Sequence, residues 1–373
     1  MKSRVAGTYL FLAVSLPAIA LWRALPAHGA SAHSSLNWNR QAAAHYLDDR
    51  ELWWQQWPRA QKDHGTLCIS CHTNVPYAMV RPGLRRQLGE NEIPTPEKTM
   101  MDSVEKRVTN WSEMIPFYSD EKNGPGKTAE AHATESVLNA IILASVDTRQ
   151  GHLRPVTRAA FDNAWALQEE TGDLAGGWKW QDFHLGPWES AESGYQGAAL
   201  LMVETMNAPD RYAKVPEVRR HLDRLHDYLR RQYAAQPVLN QLYILWASPN
   251  ETGLLTVAER DTLLQTIRTR QQPDGGWRTS ALDNRERVDH SPEPTGSDGY
   301  ATALVVLAME ESGTPRSDET LQHGLKWLID HQQSDGAWHA SSINKTRDPE
   351  SDAGPFMTDA ATAYAVLALE KAK

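Results

Sequence analysis

The chain has 373 residues, of which 40% are hydrophobic and 23% are charged, a balance typical of folded globular proteins that excludes disorder and fibrous repeats. Its 38 Lys and Arg residues face 47 Asp and Glu residues, for a formal net charge of -9. Broad nucleic-acid binding is therefore excluded, because neutralising phosphates requires a surplus of basic residues. Two counts stand out: 14 Trp, which is high, and only 2 Cys.

The first 32 residues have the three-part layout of a secretory signal sequence. Lys2 and Arg4 precede an apolar run over residues 5–22, and small residues follow up to Ala32. We therefore expect a signal peptide at residues 1–32 and a protein that is periplasmic or otherwise exported. The apolar run is also about as long as a short membrane span, so an uncleaved segment would tether the protein to a membrane.

The two cysteines lie close together, in residues 68–72, which read C-I-S-C-H. One structural disulfide is the simplest expectation for an exported chain, but C-x-x-C-H is the attachment pattern of c-type haem. In that chemistry Cys68 and Cys71 bond the porphyrin vinyl groups and His72 becomes the proximal iron ligand. The sequence therefore predicts one covalently attached haem c, within a small haem c module at residues 33–94.

The sixth iron ligand is left open by the sequence. Met79 is the first candidate because it follows the motif closely, and four other side chains could serve: His64, Met100, Met101 and His132. A C-x-x-C redox pair is an alternative reading of the motif, but it would need a βαβ setting that this helical context lacks. A zinc site is a further alternative, and it lacks two more ligands at suitable spacing.

Internal repeats dominate the rest of the chain. The apolar segment ATALVVLA at residues 301–308 recurs as ATAYAVLA at 361–368, and looser copies begin near Thr134, Gly197 and Asn240. Between them the pattern Q-x-x-D-G-x-W occurs at residues 271–277 and 332–338. We interpret these turns as structural, with Gly in a left-handed cap and Trp folding back over the helix end.

Alternating apolar and amphipathic helices joined by such turns predict an all-α chain. The segment 127–373 resembles the superfamily of squalene-hopene cyclases and prenyltransferase β-subunits, whose QW repeats carry this spacing of Gln, Gly and Trp. The resemblance implies a single α/α toroid of about five helical-hairpin repeats, which we place at residues 95–373. The chain lacks the D-x-D-D acid motif of the class II cyclases and has no further cysteine for the zinc site of the prenyltransferases.

The resemblance also implies a pocket at the N-terminal ends of the inner helices. The loop over residues 178–195 is the richest segment there, because it mixes aromatic, acidic and His side chains. Weak catalytic candidates are His184, Glu189, Glu192 and Asp298. Glu189 and Glu192 could form the pair of carboxylates that glycoside hydrolysis requires. Asp298 is also a typical helix cap.

The motif and the toroid together predict an exported c-type haem protein acting in redox, by electron transfer or by haem-dependent oxidation of a ligand held in the cavity. Its partner would be a redox protein or a small apolar or aromatic ligand. One alternative is a ligand-binding, docking or sensor protein with haem as a structural group. The other is a non-redox enzyme, either terpenoid-cyclase-like or glycan-active.

Overall fold

A computed structural model of the chain describes Met1 and residues 37–372. Apart from Met1, the expected signal sequence lies outside the described residues. The elements, in chain order, are α1 (Arg40–Gln56), β1 (Gln61–Lys62), β2 (Thr66–Leu67), α2 (Asn74–Leu88), α3 (Thr95–Thr109), α4 (Asp120–Asn123), α5 (Lys127–Gln150), α6 (Pro155–Ala166), α7 (Ser193–Asn207), α8 (Pro216–Gln232), α9 (Val238–Ala247), α10 (Val257–Arg270), α11 (Thr279–Leu282), α12 (Gly299–Glu311), α13 (Glu319–Asp330) and α14 (Phe356–Lys371). Short 3-10 turns lie at Asp63–Gly65, Trp111–Glu113, Tyr212–Lys214 and Tyr233–Ala235.

Six inner helices form a closed ring. Neighbours contact each other in the order α2, α5, α7, α9, α12 and α14, and α14 returns to α2. These helices are apolar on all sides, as helices enclosed by others must be; every residue of α12 from Gly299 to Met309 is buried. Within the ring the hydroxyl of Tyr243 lies 3.1 Å from that of Tyr300 and 3.2 Å from that of Tyr364.

Six outer helices pack around this ring. They are α1, α3, α6, α8, α10 and α13, and each contacts one or two inner helices. Amphipathic sequence explains their position: on α8 one face carries the buried Val218, Leu222, Leu225 and Leu229, while charged residues cover the other. Alternation of outer and inner helices is the architecture of an α/α toroid, which confirms the fold class expected from the repeats.

The first helical hairpin is part of the ring. Outer helix α1 packs on α2 and α14, and α2 fills the place between α14 and α5. The segment from which the sequence predicts a separate haem module thus supplies a sixth hairpin, in addition to the five that the apolar repeats reveal. A haem module of this size would have to bury its macrocycle, whereas α2 buries its apolar face against the other inner helices.

The turns at residues 271–277 and 332–338, here called QW turns, end the outer helices α10 and α13 as the sequence predicts. Gly275 and Gly336 have φ of 92° and 97°, values that favour glycine, and the indoles of Trp277 and Trp338 donate to the carbonyls of Ile267 at 2.9 Å and Leu328 at 2.7 Å. Within residues 37–372, no helix has the length and apolar character needed to cross a membrane.

Candidate functional site

A cavity of about 60 Å³ lies where the N-terminal ends of the inner helices converge. It is enclosed mainly by the segment before α2, the first turns of α5 and the loop before α7. Its lining is mostly aromatic and apolar, with a few polar groups: Trp54, Cys68, Ile69, Ser70, Cys71, His72, Phe117, Tyr118, Ala131, Thr134, Leu138, Gln181, Trp188 and Glu189. This is the end of the toroid at which the resemblance places a pocket.

Glu189 is the acidic residue in this lining. Its backbone is fixed by a tight loop, in which the N–H and carbonyl of Glu189 bond to those of Leu185, both at 2.8 Å. Burial raises the pKa of the Glu189 carboxyl to about 7, and the positive charge of Arg347 opposes that rise. The Glu189 carboxyl therefore keeps its proton to a higher pH than an ordinary glutamate does, which is the condition in which a carboxyl can act as a general acid.

His72 is held in one tautomer by a chain of hydrogen bonds. Its Nδ1 lies 2.9 Å from Thr73 Oγ1, and the Thr73 hydroxyl donates to Asp359 Oδ2 at 2.8 Å. Since a hydroxyl has a single hydrogen, Thr73 must accept from His72 Nδ1–H, which leaves Nε2 with a free lone pair. Burial, together with the charges of Arg50 and Arg347, lowers the pKa of His72 to about 3, so the ring is neutral at pH 7.

Asp359 anchors this chain from α14. Its carboxylate accepts from Arg50 Nε at 2.7 Å, from Arg50 Nη2 at 3.1 Å and from the Tyr46 hydroxyl at 3.0 Å. Both partners lie on α1, so the first outer helix and the last inner helix jointly orient His72 through Thr73. The sequence indicates Asp359 only as a residue near a helix N-terminus, because nothing in the sequence shows that it lies next to Thr73.

The two cysteines face the cavity as thiols. Burial raises the pKa of Cys68 to about 12 and the pKa of Cys71 further still, with the Glu189 charge acting in the same direction on both. The Cys68 carbonyl accepts from the Trp54 indole at 2.8 Å, which fixes the start of the motif against α1. Both side chains are therefore protonated and weakly nucleophilic at neutral pH.

The packing around His72 contradicts the predicted haem c. The His72 ring stacks on Phe356 with centroids 3.8 Å apart and an interplanar angle of 17°, and Trp54 and Trp188 lie 5.3 and 5.4 Å away. A cavity of about 60 Å³ has the volume of roughly two water molecules in the liquid, whereas a porphyrin bonded to both thiols needs several times more.

Met79 and His72 line different cavities, and that of Met79 lies at the C-terminal ends of the inner helices. The assignment of Met79 as sixth iron ligand was therefore wrong together with the haem. The sequence motif misled because C-x-x-C-H specifies only spacing, whereas haem attachment also needs open space beside the imidazole.

The structure separates the other catalytic candidates from Glu189. His184 has a side chain that is 89% exposed and lies 3.3 Å from Asp182. Glu192 is 49% exposed, precedes α7 and lies 3.8 Å from Arg285. Neither residue lines the cavity, so the expected pairing of Glu189 with Glu192 does not appear in its lining.

Asp298 acts as the N-cap of α12. Its carboxylate accepts from the backbone N–H of Ala301 at 3.0 Å and from both the N–H and the hydroxyl of Thr279. These contacts occupy the carboxylate, and burial raises the pKa of Asp298. A capping role accounts for this residue.

An open groove of about 750 Å³ lies beside the cavity, along α1 and the loops before α12 and α14. Arg50 and Tyr46, the partners of Asp359, line it, and so does Arg347. Among the described residues Arg347 has no hydrogen-bond or ion-pair partner. Its charge nevertheless opposes the rise in the pKa of Glu189 and contributes to the fall in the pKa of His72. Sequence reasoning missed Arg347, because an arginine in a long loop gives no signal of its own.

Comparison with known proteins supports a cyclase-like toroid. The family model "Squalene-hopene cyclase C-terminal domain" matches residues 257–351 and, in a second overlapping match, 297–373. Protostadienol synthase A of Arthroderma gypseum is 30% identical over 98 residues, which cover 24% of this chain and 13% of the synthase. The chain thus spans only a small part of that relative.

Among solved structures, a glycosidase aligns with 89% of this chain and 97% of its own, at a TM-score of 0.50 and 12% identity. A glycosyl hydrolase of family 88 from Bacteroides vulgatus covers 92% of this chain and 95% of its own at 12% identity, with a TM-score of 0.35, too low to indicate a shared fold. The similarity to the cyclase family model and the packing around His72 show that the expected haem-dependent redox and electron-transfer function was wrong. The chain has an α/α-toroid fold whose C-terminal part is similar to squalene-hopene cyclases.

Proposed function

We propose that the protein is a non-redox, cyclase-like enzyme that uses Glu189 as the general acid in the cavity at the N-terminal ends of the inner helices. The observation that carries this proposal is the Glu189 carboxyl, whose pKa burial raises to about 7 within an aromatic lining. The similarity of residues 257–373 to cyclases agrees with it.

The substrate we propose is apolar and carries an oxygen function such as an epoxide. An acid with a pKa near 7 transfers a proton to oxygen far more readily than to an alkene carbon, and the chain lacks the D-x-D-D motif expected for the latter reaction. Protonation of the oxygen by Glu189 breaks its bond to carbon, and a carbon–carbon double bond of the same substrate attacks the carbon that this leaves electron-poor.

His72 completes the proton balance. The cyclised cation loses a proton from carbon, and Nε2 of His72 has the free lone pair that accepts it. A base with a pKa of about 3 is strong enough for this step, because a C–H bond next to a carbocation is very acidic. One proton enters from Glu189 and one leaves to His72, so the product is an isomer of the substrate.

The aromatic lining suits a cationic intermediate. Trp54, Trp188 and Tyr118 present π-systems to the cavity, and an indole face stabilises a nearby cation by about 0.5 to 2 kcal/mol. A second cavity, of about 20 Å³, shares Cys71, Leu138 and Trp188 with the first and extends toward Tyr243 and Tyr364. Together the two cavities have about 80 Å³, less than an isoprenoid occupies, so the proposal requires Trp188 to move aside on binding and open the axis of the toroid.

A glycan-active enzyme is the second candidate, and the open groove favours it. The groove has about 750 Å³, and its lining includes the polar side chains of Arg287, His339 and Lys345, which suit a hydrated chain of sugars. Hydrolysis of a glycosidic bond normally requires two carboxyl groups across the bond. The cavity lining supplies Glu189 alone, and for that reason we rank this candidate second.

The test compares three purified proteins on two substrate classes: wild type, Glu189→Gln, and the neighbouring Glu192→Gln as matched control. The substrates are an acyclic isoprenoid epoxide and a panel of chromogenic glycosides. We expect the epoxide to be isomerised by wild type and by Glu192→Gln, with a loss of at least about a hundredfold in Glu189→Gln. Turnover of glycosides alone, or equal activity of Glu189→Gln and wild type, would contradict the proposal.

A further inference from the structure

The opposite end of the toroid contains a second cavity that the proposed reaction does not use. It has a volume of about 370 Å³ and lies at the C-terminal ends of the inner helices. All six inner helices contribute to its wall, with the lining residues Met79, Gln87, Ser145, Thr148, Arg149, Val203, Glu204, Asn207, Trp246, Glu311, Leu367, Glu370 and Lys371. Its size falls in the range of pockets that bind small molecules.

Glu204 on α7 is the notable group in this wall. The residue is 7% exposed, and within residues 37–372 no hydrogen bond or ion pair reaches its carboxylate, on which the Arg149 charge acts only from farther away. A buried carboxylate without a partner is costly, and such groups are normally paired. The area that Glu204 does expose faces this cavity, so a ligand there could supply the missing partner.

The cations nearby have closer partners than Glu204, although the Arg149 charge still acts on Glu204. Arg149 donates to the carbonyl of Met79 and lies against the backbone of α2 at Gly83, where an added Cβ would come within 3.2 Å of Nη1. Lys371 forms an ion pair of 2.7 Å with Glu311. Both cations thus lie in the wall, and neither is within ion-pair distance of Glu204.

The field in the cavity favours a positive ligand. The wall carries three carboxylates, Glu204, Glu311 and Glu370, against two basic groups, Arg149 and Lys371. The converging C-terminal ends of six helices add the negative ends of their dipoles. Trp246, Val203 and Leu367 supply an indole face and apolar surface beside Glu204, which suits a cation with a hydrocarbon portion.

We propose that this cavity, defined by the six C-terminal helix ends, binds an organic ammonium ion whose charge pairs with Glu204 and whose hydrocarbon part packs on Trp246 and Leu367. A bare metal ion fits less well, because the described residues place no set of three or more His, Cys, Asp or Glu ligands together. The site is independent of Glu189, which lies at the other end of the toroid.

Calorimetric titration of the purified protein with n-butylammonium chloride tests this proposal, with 1-butanol as the uncharged analogue. We expect saturable binding of butylammonium and none of butanol. Glu204→Gln, which keeps the shape of the side chain, should weaken binding by about tenfold or more, whereas Glu217→Gln on the exposed face of α8 should leave it unchanged.

Three results would overturn the proposal: no saturable heat with butylammonium, equal binding of butanol, or unchanged affinity in Glu204→Gln. The first two concern the wild-type protein and remain decisive even if Glu204→Gln does not fold. None of these results depends on the activity of Glu189.

Discussion

Gln332 and Asn39 are joined by two reciprocal hydrogen bonds. The backbone N–H of Asn39 donates to Gln332 Oε1 at 2.7 Å, and Gln332 Nε2 donates to the Asn39 carbonyl at 3.0 Å. The glutamine of the other such turn, Gln271, bonds Thr320 at the start of α13 in the same way, and Gln168, just after α6, bonds His221 on α8. After the last turn the next outer helix is α1, whose N-cap is Asn39. The glutamine contact that links successive repeats therefore also links the last repeat to the first and closes the ring.

Loss of this closing contact should destabilise the whole toroid. We expect Gln332→Ala to lower the free energy of unfolding by about 1 to 2 kcal/mol, since it loses both bonds to Asn39 and a third, from Gln332 Nε2 to the carbonyl of Gly336 at 3.1 Å. Gln333→Ala is the matched control, because the side chain of Gln333 bonds only the nearby carbonyl of His331. Urea denaturation measures both variants, and a change as small in Gln332→Ala as in Gln333→Ala would rule out a role in ring closure.

The indole of a QW turn should be among the most stabilising side chains. Trp277 is fully buried and donates to the carbonyl of Ile267, so Trp277→Ala should cost about 3 to 5 kcal/mol of unfolding free energy. Val257→Ala, at a position that is 79% exposed, should change it by less than about 0.5 kcal/mol. Urea denaturation again provides the measurement, and a cost below about 1 kcal/mol for Trp277→Ala would contradict the structural role of the turn.

Stability should depend on pH through Glu310. Burial raises the pKa of Glu310 to about 8, so the folded state binds a proton that the unfolded state releases near its ordinary pKa of about 4.3. The contribution of Glu310 to the free energy of unfolding is therefore present at low pH and is lost as pH rises toward 8. We expect the free energy of unfolding of Glu310→Gln, measured by urea denaturation and taken relative to wild type, to increase by about 1.4 kcal/mol per pH unit between pH 5 and 7.5.

Glu259 gives a control of opposite sign for the same experiment. The hydrogen bond from Arg230 lowers the pKa of Glu259 to about 2, so its contribution is complete above the unfolded pKa and lost only as pH falls toward 2. The difference between Glu259→Gln and wild type should thus be constant above pH 5. A constant difference for Glu310→Gln as well would show that Glu310 does not retain its proton in the folded state.

The thiols should react slowly in the native protein. With a pKa raised to about 12, Cys68 has a thiolate fraction at pH 8 that is about three orders of magnitude below that of a free cysteine. We expect alkylation by iodoacetamide, followed by mass spectrometry, to be at least a hundredfold slower in native than in urea-unfolded protein. Comparable rates would show that the thiols are accessible and ionised.

The repeats made the toroid predictable, because the apolar helices and the Gln, Gly and Trp turn residues recur at matching places. The first hairpin lacks that turn pattern, so its place in the ring could not be found from the repeats. The spacing of the cysteines and His72 matches a haem attachment motif, which is why the sequence suggested haem. The sequence does not show that Phe356, at the start of the last inner helix, stacks on His72 and occupies the space beside its ring.

Glu189 could be selected as one of four candidates, but not ranked above Glu192. Both lie in the same loop, and only folding shows that the first faces the cavity while the second contacts Arg285 at the surface. The chain of hydrogen bonds from His72 through Thr73 to Asp359 joins residues from opposite ends of the sequence, so spacing carries no sign of it.

The state of Glu189 is the central claim, and an NMR titration of the protein labelled with 13C at glutamate side-chain carboxyls tests it without any substrate. The Glu189 signal is identified by its absence from Glu189→Gln. We expect it to titrate with a midpoint near pH 7, because burial disfavours the charged form. A midpoint near the ordinary glutamate value of about 4.3 would contradict the assignment of Glu189 as the acid.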